Sequence, residues 1–253
     1  MKYVRFLADK DIKFGILNND ETISSLNGDF LDNSTLDGGI YKLSEVKILT
    51  PTDPQTIVAI GLNYFDHVHE FGEQKVPENP TIFVKMKHTV IAQHEAIVYP
   101  EVSQRLDFEA EMALIIAKDC KNVSRNDANE YIFGVTCLND VTARDIQQAD
   151  GQWIRGKNYE TFCPIGPCAA TELNYDNLEL TSRLNGNIMQ RSNTKNMMFN
   201  TQILIEFVTS VIPLKKGDII ATGTPFGVAP MLPGDIIEIE IENVGILRNI
   251  IKK

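Results

Sequence analysis

Two glutamates open one of the most apolar stretches of this 253-residue chain. The stretch reads DFEAEMALIIA, and it places Glu109 and Glu111 directly before the run MALIIA. Residues two apart on a strand point to the same face, so both carboxylates are expected on one side of a buried strand. Buried carboxylates at this spacing repel each other unless a positive charge lies between them. The pattern therefore favours a cation-binding strand, and a solvated acidic strand face is the alternative.

A third carboxylate, Asp140, ends the next apolar run, YIFGVTCLND. Three oxygen ligands without histidine or cysteine suit a hard cation such as Mg²⁺, whereas catalytic zinc sites favour histidine. Magnesium usually retains several waters, so a substrate and a water can complete its coordination. The three acids thus predict a metal-dependent enzyme.

Composition narrows the class of protein. The net charge of -10 argues against a nucleic acid or an anionic membrane as partner, and it requires a local positive site for any anionic substrate. The chain has no apolar run of about 18 residues and no apolar leader at its start. Its four cysteines are isolated in sequence, as reduced thiols usually are. We therefore expect a cytoplasmic protein.

Strands dominate the predicted secondary structure. The segment GDIIEIEIEN alternates apolar and acidic residues, and Asn185-Gly186 is typical of a two-residue hairpin turn. A helix is predicted in FNTQILIEFVTSVI, capped by Asn200 or Thr201. Because strands outnumber helices and do not alternate with them, the pattern favours a β-rich α+β fold over a doubly wound or barrel fold. A polar linker predicts a small N-terminal domain, 1–48, followed by a larger unit, 49–253.

A candidate catalytic base lies in GLNYFDHVHEFGEQ. His67 and Glu70 are three apart, so on a helix they share a face, and a carboxylate beside an imidazole raises its basicity. The alternative is a surface helix with unrelated polar side chains.

Candidate substrate-binding groups follow Asp140. The segment DVTARDIQQADGQWIRGKNYETF predicts a short helix that carries Arg144 and Gln147, with Lys157 in a later Gly-containing loop. The two cations can attract an anionic substrate, although each taken alone is more often a surface cation. The segment ATGTPFGV contains Thr224 and can reach a ligand carboxylate, or it is a plain tight turn.

Five segments in this order resemble the fumarylacetoacetate hydrolase family, in particular its acylpyruvase and oxaloacetate decarboxylase branch. They are GLNYFDH, DFEAEMALII, GVTCLNDVTARDIQ, LTSRLNGNIMQ and GDIIATGTPFGV, and the similarity extends from about residue 51 to 249. The resemblance implies a mixed β-sandwich or roll with a small N-terminal β domain, usually assembled as a homodimer.

The resemblance also implies a role for each candidate residue. The roles are Mg²⁺ or Mn²⁺ binding by Glu109, Glu111 and Asp140, water activation by His67 and Glu70, carbonyl polarisation by Lys157 and Gln147, and substrate-carboxylate binding by Arg144 and Thr224.

The activity implied by these roles is hydrolysis of a carbon–carbon bond in 3-acylpyruvates or related 1,3-diketo acids, which gives pyruvate and a carboxylic acid. Two alternatives use the same metal scaffold: an oxaloacetate decarboxylase and a 2-hydroxyhepta-2,4-diene-1,7-dioate isomerase. A catalytically silent ligand-binding homologue is the alternative from another class, and the complete set of candidate residues argues against it.

Overall fold

The computed structural model describes residues 1–66 and 77–253. Its strands are β1 (Lys2–Ala8), β2 (Asp11–Leu17), β3 (Thr22–Leu26), β4 (Leu36–Lys42), β5 (Lys47–Ile48), β6 (Ile57–Gly61), β7 (Thr81–Lys85), β8 (Val90–Ile91), β9 (Ala96–Val98), β10 (Leu106–Asp107), β11 (Ala110–Ile116), β12 (Ile132–Asn139), β13 (Thr142–Ala143), β14 (Cys163–Ala170), β15 (Glu179–Leu184), β16 (Asn187–Asn193), β17 (Ile219–Ala221), β18 (Pro230–Met231), β19 (Ile236–Ile241) and β20 (Gly245–Lys252). Three helices matter for the site and the core: α1 (Arg144–Asp150), α2 (Ile154–Lys157) and α3 (Thr201–Val211).

The largest sheet of the described residues is mixed and has twelve strands. Its main path runs β4-β3-β2-β1-β14-β12-β11-β17-β6-β7, with β5 paired to β1 and β8 paired to β14. Most neighbours are antiparallel, whereas β17 and β6 run parallel. The N-terminal strands enter this sheet where β1 pairs with β14, with Tyr3 opposite Ala169.

A five-stranded sheet, β16-β15-β19-β20-β9, packs against β11, β12 and β14 of the large sheet. Every residue of β11 is buried, because both of its faces are covered. Met112 and Leu114 join the core that includes the five-stranded sheet, while Ala113 and Ile115 join a second apolar cluster on the opposite face. The predicted β-rich α+β fold with packed mixed sheets is confirmed.

Two local predictions are also confirmed. Asn185 and Gly186 both have positive φ angles, +52° and +82°, at the turn between β15 and β16. Helix α3 begins after Asn200, whose side chain accepts a hydrogen bond from the Ile203 amide. The domain boundary near residue 48 stays a prediction. No helix in the described ranges has the length and apolar character needed to cross a membrane.

Candidate active site

The three predicted metal ligands meet at one end of the β11–β12 pair. Glu109 directly precedes β11, Glu111 lies within it, and Asp140 directly follows β12. The two strands are antiparallel neighbours, with Ala110 opposite Asn139, so the start of one lies beside the end of the other. A ligand oxygen from each acid lies within 4.8 Å of the other two, and all three residues are buried.

The Glu111 carboxyl has no ion-pair partner among the described residues, unlike Glu109 and Asp140. One of its oxygens, Oε2, accepts a hydrogen bond from the Gly223 amide at 2.8 Å. Burial raises the pKa of Glu111 well above its ordinary value, and the neighbouring charges of Asp140 and Glu109 raise it further. A cation between the three carboxylates would remove this penalty.

At Gly223 the backbone of the loop comes close to the site, and a side chain there would not fit. Gly223 has a φ of +95°, and a Cβ atom there would lie 2.8 Å from the Cβ of Asn63. The sequence leaves two roles open for this loop, contact with a ligand carboxylate or a plain tight turn. In the structure its amide binds the carboxylate of Glu111, and the adjacent Thr224 lines the cavity.

Lys157 bridges two of the acids. Its ammonium lies 2.7 Å from Glu109 Oε2 and 2.6 Å from Asp140 Oδ2, and the side chain is 2% exposed. Burial lowers the pKa of Lys157, but the carboxylates of Asp140 and Glu109 outweigh that effect and the pKa is raised overall. The prediction that Lys157 lies in a loop was wrong: it ends the helical turn α2, which packs against α1.

Arg144 is held by protein side chains on three sides. Its guanidinium donates to Asp107 at 2.8 Å, to Glu109 at 2.5 Å and to Gln147 Oε1 at 2.6 Å. In that bond Gln147 accepts through its amide oxygen, so its two amide N–H groups are not used there and can donate into the cavity. Arg144, Gln147 and Lys157 all line that cavity.

Sequence reasoning missed two buried charges at this site. Lys85, at the end of β7, donates to Asp140 Oδ1 and to the Val141 carbonyl and is fully buried. Asp107 accepts from Arg144 and is also fully buried. The alternation Asp-x-Glu-x-Glu could have placed Asp107 on the same strand face as Glu109 and Glu111.

The cavity beside the acids is small, about 150 Å³ in the described residues. Two aromatic side chains form part of its wall, Phe83 and Trp153, with ring centroids 5.3 Å apart in an edge-to-face arrangement. Pockets for drug-sized ligands are roughly 300–1,000 Å³, so this space suits an acid of a few carbon atoms.

The charges around the cavity nearly balance without a metal. Among the described residues at the cavity and its ion pairs, the buried carboxylates are Asp107, Glu109, Glu111 and Asp140, and the buried cations are Lys85, Arg144 and Lys157. With every group ionised, four negative and three positive charges leave a net charge of -1. A divalent cation would change this to +1. The all-oxygen donor set fits Mg²⁺ or Mn²⁺, and the resulting positive charge would attract an anionic substrate.

The predicted catalytic base, His67, and its carboxylate partner, Glu70, lie outside the described residues. Their role in water activation therefore stays a prediction.

Comparisons with known proteins identify the family of the chain. Residues 56–252 match the fumarylacetoacetate (FAA) hydrolase C-terminal family, and residues 1–51 match the Rv2993c-like N-terminal family. A protein of Archaeoglobus fulgidus is 49% identical over 213 residues, covering 84% of this chain and 85% of its own. The rat mitochondrial oxaloacetate tautomerase Fahd2a is 39% identical over 218 residues, covering 81% of this chain and 69% of its own.

A solved structure shows the same fold over its whole length. The 5-carboxymethyl-2-hydroxymuconate delta-isomerase of Mycobacterium smegmatis superposes with a TM-score of 0.93 at 34% identity, covering 100% of this chain and 99% of that one. The chain belongs to the fumarylacetoacetate hydrolase family.

Proposed function

We propose that this chain is a divalent-metal-dependent enzyme that interconverts the keto and enol forms of a small 2-oxo dicarboxylic acid such as oxaloacetate. The observation that carries the proposal is the small cavity lined by Glu109, Glu111, Gln147 and Lys157, beside which Asp140 completes a cluster of three carboxylates. The names of the rat and mycobacterial relatives, a tautomerase and an isomerase, support chemistry at the carbon next to a carbonyl group.

A divalent cation held by Glu109, Glu111 and Asp140 would supply Lewis acidity toward the carboxylate and 2-oxo oxygens of the substrate. The protein side chains provide the rest of the site. The Lys157 ammonium is kept protonated by its two carboxylate partners and can stabilise negative charge that develops on the substrate oxygen. Gln147 can donate its amide N–H groups to the substrate, because its bond to Arg144 uses only the amide oxygen.

The proton at the reacting carbon needs a base, and we assign that role to His67 with Glu70. The same pair would activate water in the second candidate function, hydrolysis of 3-acylpyruvates, which the His-x-x-Glu spacing favours. Oxaloacetate decarboxylation would use the same metal and cationic groups without water activation.

One panel of assays separates these activities. The purified protein with Mg²⁺ or Mn²⁺ is given oxaloacetate and acetylpyruvate, and three signals are followed: loss of enol absorbance, release of CO₂ and formation of pyruvate. We expect rapid enol–keto exchange of oxaloacetate that a chelator abolishes and added metal restores.

Substitutions assign the roles within that panel. Lys157→Met is expected to lower the rate by about 10²–10³-fold, as loss of an oxyanion donor commonly does. Lys87→Met removes an exposed lysine paired with Asp53 and serves as the matched control. Full activity in chelator would contradict the metal assignment. Acetylpyruvate cleavage without oxaloacetate tautomerisation would establish the hydrolase instead.

A further inference from the structure

Gln190 is a fully buried amide that connects the five-stranded sheet to the active site. It lies on β16 and reaches the large sheet, where its Oε1 atom accepts a hydrogen bond from the Ala110 amide between the two glutamate ligands. Its Nε2 atom donates to the Thr224 hydroxyl and to the Pro225 carbonyl, each at 2.8 Å.

The orientation of this amide follows from two backbone groups. The Ala110 N–H can only donate, so it must face the oxygen of Gln190, and the Pro225 carbonyl can only accept, so it must face the nitrogen. Oε1 also accepts from Ser182 at 3.1 Å, which uses all four hydrogen-bonding positions of the amide. Thr224 therefore receives a hydrogen bond from Gln190 and cannot donate one back.

The direction of that bond determines what Thr224 can offer a ligand. A hydroxyl has one proton, and no described residue accepts the proton of Thr224 in the structure. Thr224 is 2% exposed and lines the cavity beside Glu109 and Glu111. Its proton is therefore available to an acceptor inside the cavity.

We propose that Gln190 is a positioning residue that sets the polarity of the Thr224 hydroxyl, so that Thr224 donates its proton to a carboxylate oxygen of the bound 2-oxo acid. The inference rests on the proposed binding of a 2-oxo acid. Gln190 itself does not line the cavity, and it acts through Thr224 alone.

The test is a double-mutant cycle on ligand affinity. Trp153 is the only tryptophan of the chain and lines the cavity, so its fluorescence reports binding without turnover. Pyruvate is titrated in the presence of Mg²⁺ into wild type, Gln190→Glu, Thr224→Val and the double variant. The carboxylate introduced by Gln190→Glu would keep an oxygen for Ala110 but place a second oxygen against Thr224, which attracts the hydroxyl proton away from the ligand.

Gln190→Glu and Thr224→Val are each expected to weaken pyruvate binding at least about 10-fold, the range for a hydrogen bond to a charged group. The double variant is expected to bind as weakly as Thr224→Val alone, because the hydroxyl that Gln190 orients is already gone. Gln202→Glu on α3 makes the same change of side chain away from the site and is expected to leave the affinity unchanged.

Two outcomes overturn the inference while leaving the proposed function intact. One is wild-type affinity in Gln190→Glu, and the other is an equal loss from Gln190→Glu in the wild-type and Thr224→Val backgrounds, which indicates a general packing role. A wild-type protein that does not bind pyruvate also overturns the inference, whereas the proposed function fails separately, by the absence of metal-dependent tautomerase activity on oxaloacetate. If Gln190→Glu does not fold, Gln190→Met removes the same donor with a neutral side chain and takes its place in the cycle.

Discussion

Glu111→Gln is expected to stabilise the protein in chelator and to remove its stabilisation by Mg²⁺. In the metal-free protein, the Glu111 carboxylate is buried without an ion pair in the described residues, and it lies within 4.8 Å of both other acids. Two unit charges at that distance repel by about 3 kcal/mol at an effective dielectric constant of 20. A glutamine keeps the oxygen that accepts from the Gly223 amide and removes this repulsion.

Protonation limits the size of the effect. Since the folded-state pKa of Glu111 is raised above 4.5, the buried carboxyl destabilises the folded state only above that pH. Each pH unit between 4.5 and 7 is worth about 1.4 kcal/mol, so the penalty at pH 7 cannot exceed about 3.5 kcal/mol. Attraction to Lys157 reduces it, and we expect a gain of about 1–3 kcal/mol. For a chain of this size, that corresponds to a rise in Tm of about 2–12 °C.

Thermal unfolding with and without Mg²⁺ tests this expectation. A ligand at 100 times its Kd stabilises a protein by about 2.7 kcal/mol, so Mg²⁺ should raise the Tm of wild type and not that of Glu111→Gln. The variant should therefore be the more stable protein in chelator, and its advantage should shrink as the pH falls toward 4.5. Glu101→Gln, at an exposed site, is the control. A lower Tm than wild type in chelator, or an undiminished response to Mg²⁺, would refute the reasoning.

Two further substitutions test the wall of the cavity and the core. Gly61→Ala places a Cβ atom 2.2 Å from the Trp153 ring, so we expect a shift of tryptophan fluorescence and at least about 10-fold lower kcat/KM; Gly28→Ala, which meets no atom within 4 Å, should change neither. Asn200→Ala removes the side-chain bond to the Ile203 amide, and a calorimetric Tm about 2–4 °C lower with unchanged kcat is expected, whereas an unchanged Tm would contradict the capping role.

The sequence predicted the acidic centre because its signal is local. Glu109 and Glu111 share a strand, and Asp140 ends the next strand, so a single antiparallel pairing brings the three together. The type of fold was predictable for the same reason, because apolar–polar alternation and turn residues identify each strand from its own segment of sequence.

Lys85 and Gln190 were not predictable because their positions depend on strand order. Lys85 reaches Asp140 from β7 at the far end of the large sheet, and Gln190 reaches Ala110 from a different sheet. Neither contact can be inferred from residues that are close in the sequence. Arg144 was predicted at the site, but its bonds to Asp107 and Glu109 become visible only when those side chains are placed in three dimensions.

The pairing of β1 with β14 has a consequence for how this protein can be divided. β14 follows Lys157 along the chain, and its edge is covered by β1 near Ala169 and Ala170. Removing the first 48 residues would leave the backbone groups of that edge unpaired and able to bind a strand of another molecule. It would also expose apolar side chains to water. A truncated catalytic unit is thus expected to aggregate, and shortened versions made for crystallisation or directed evolution should retain the N-terminal strands.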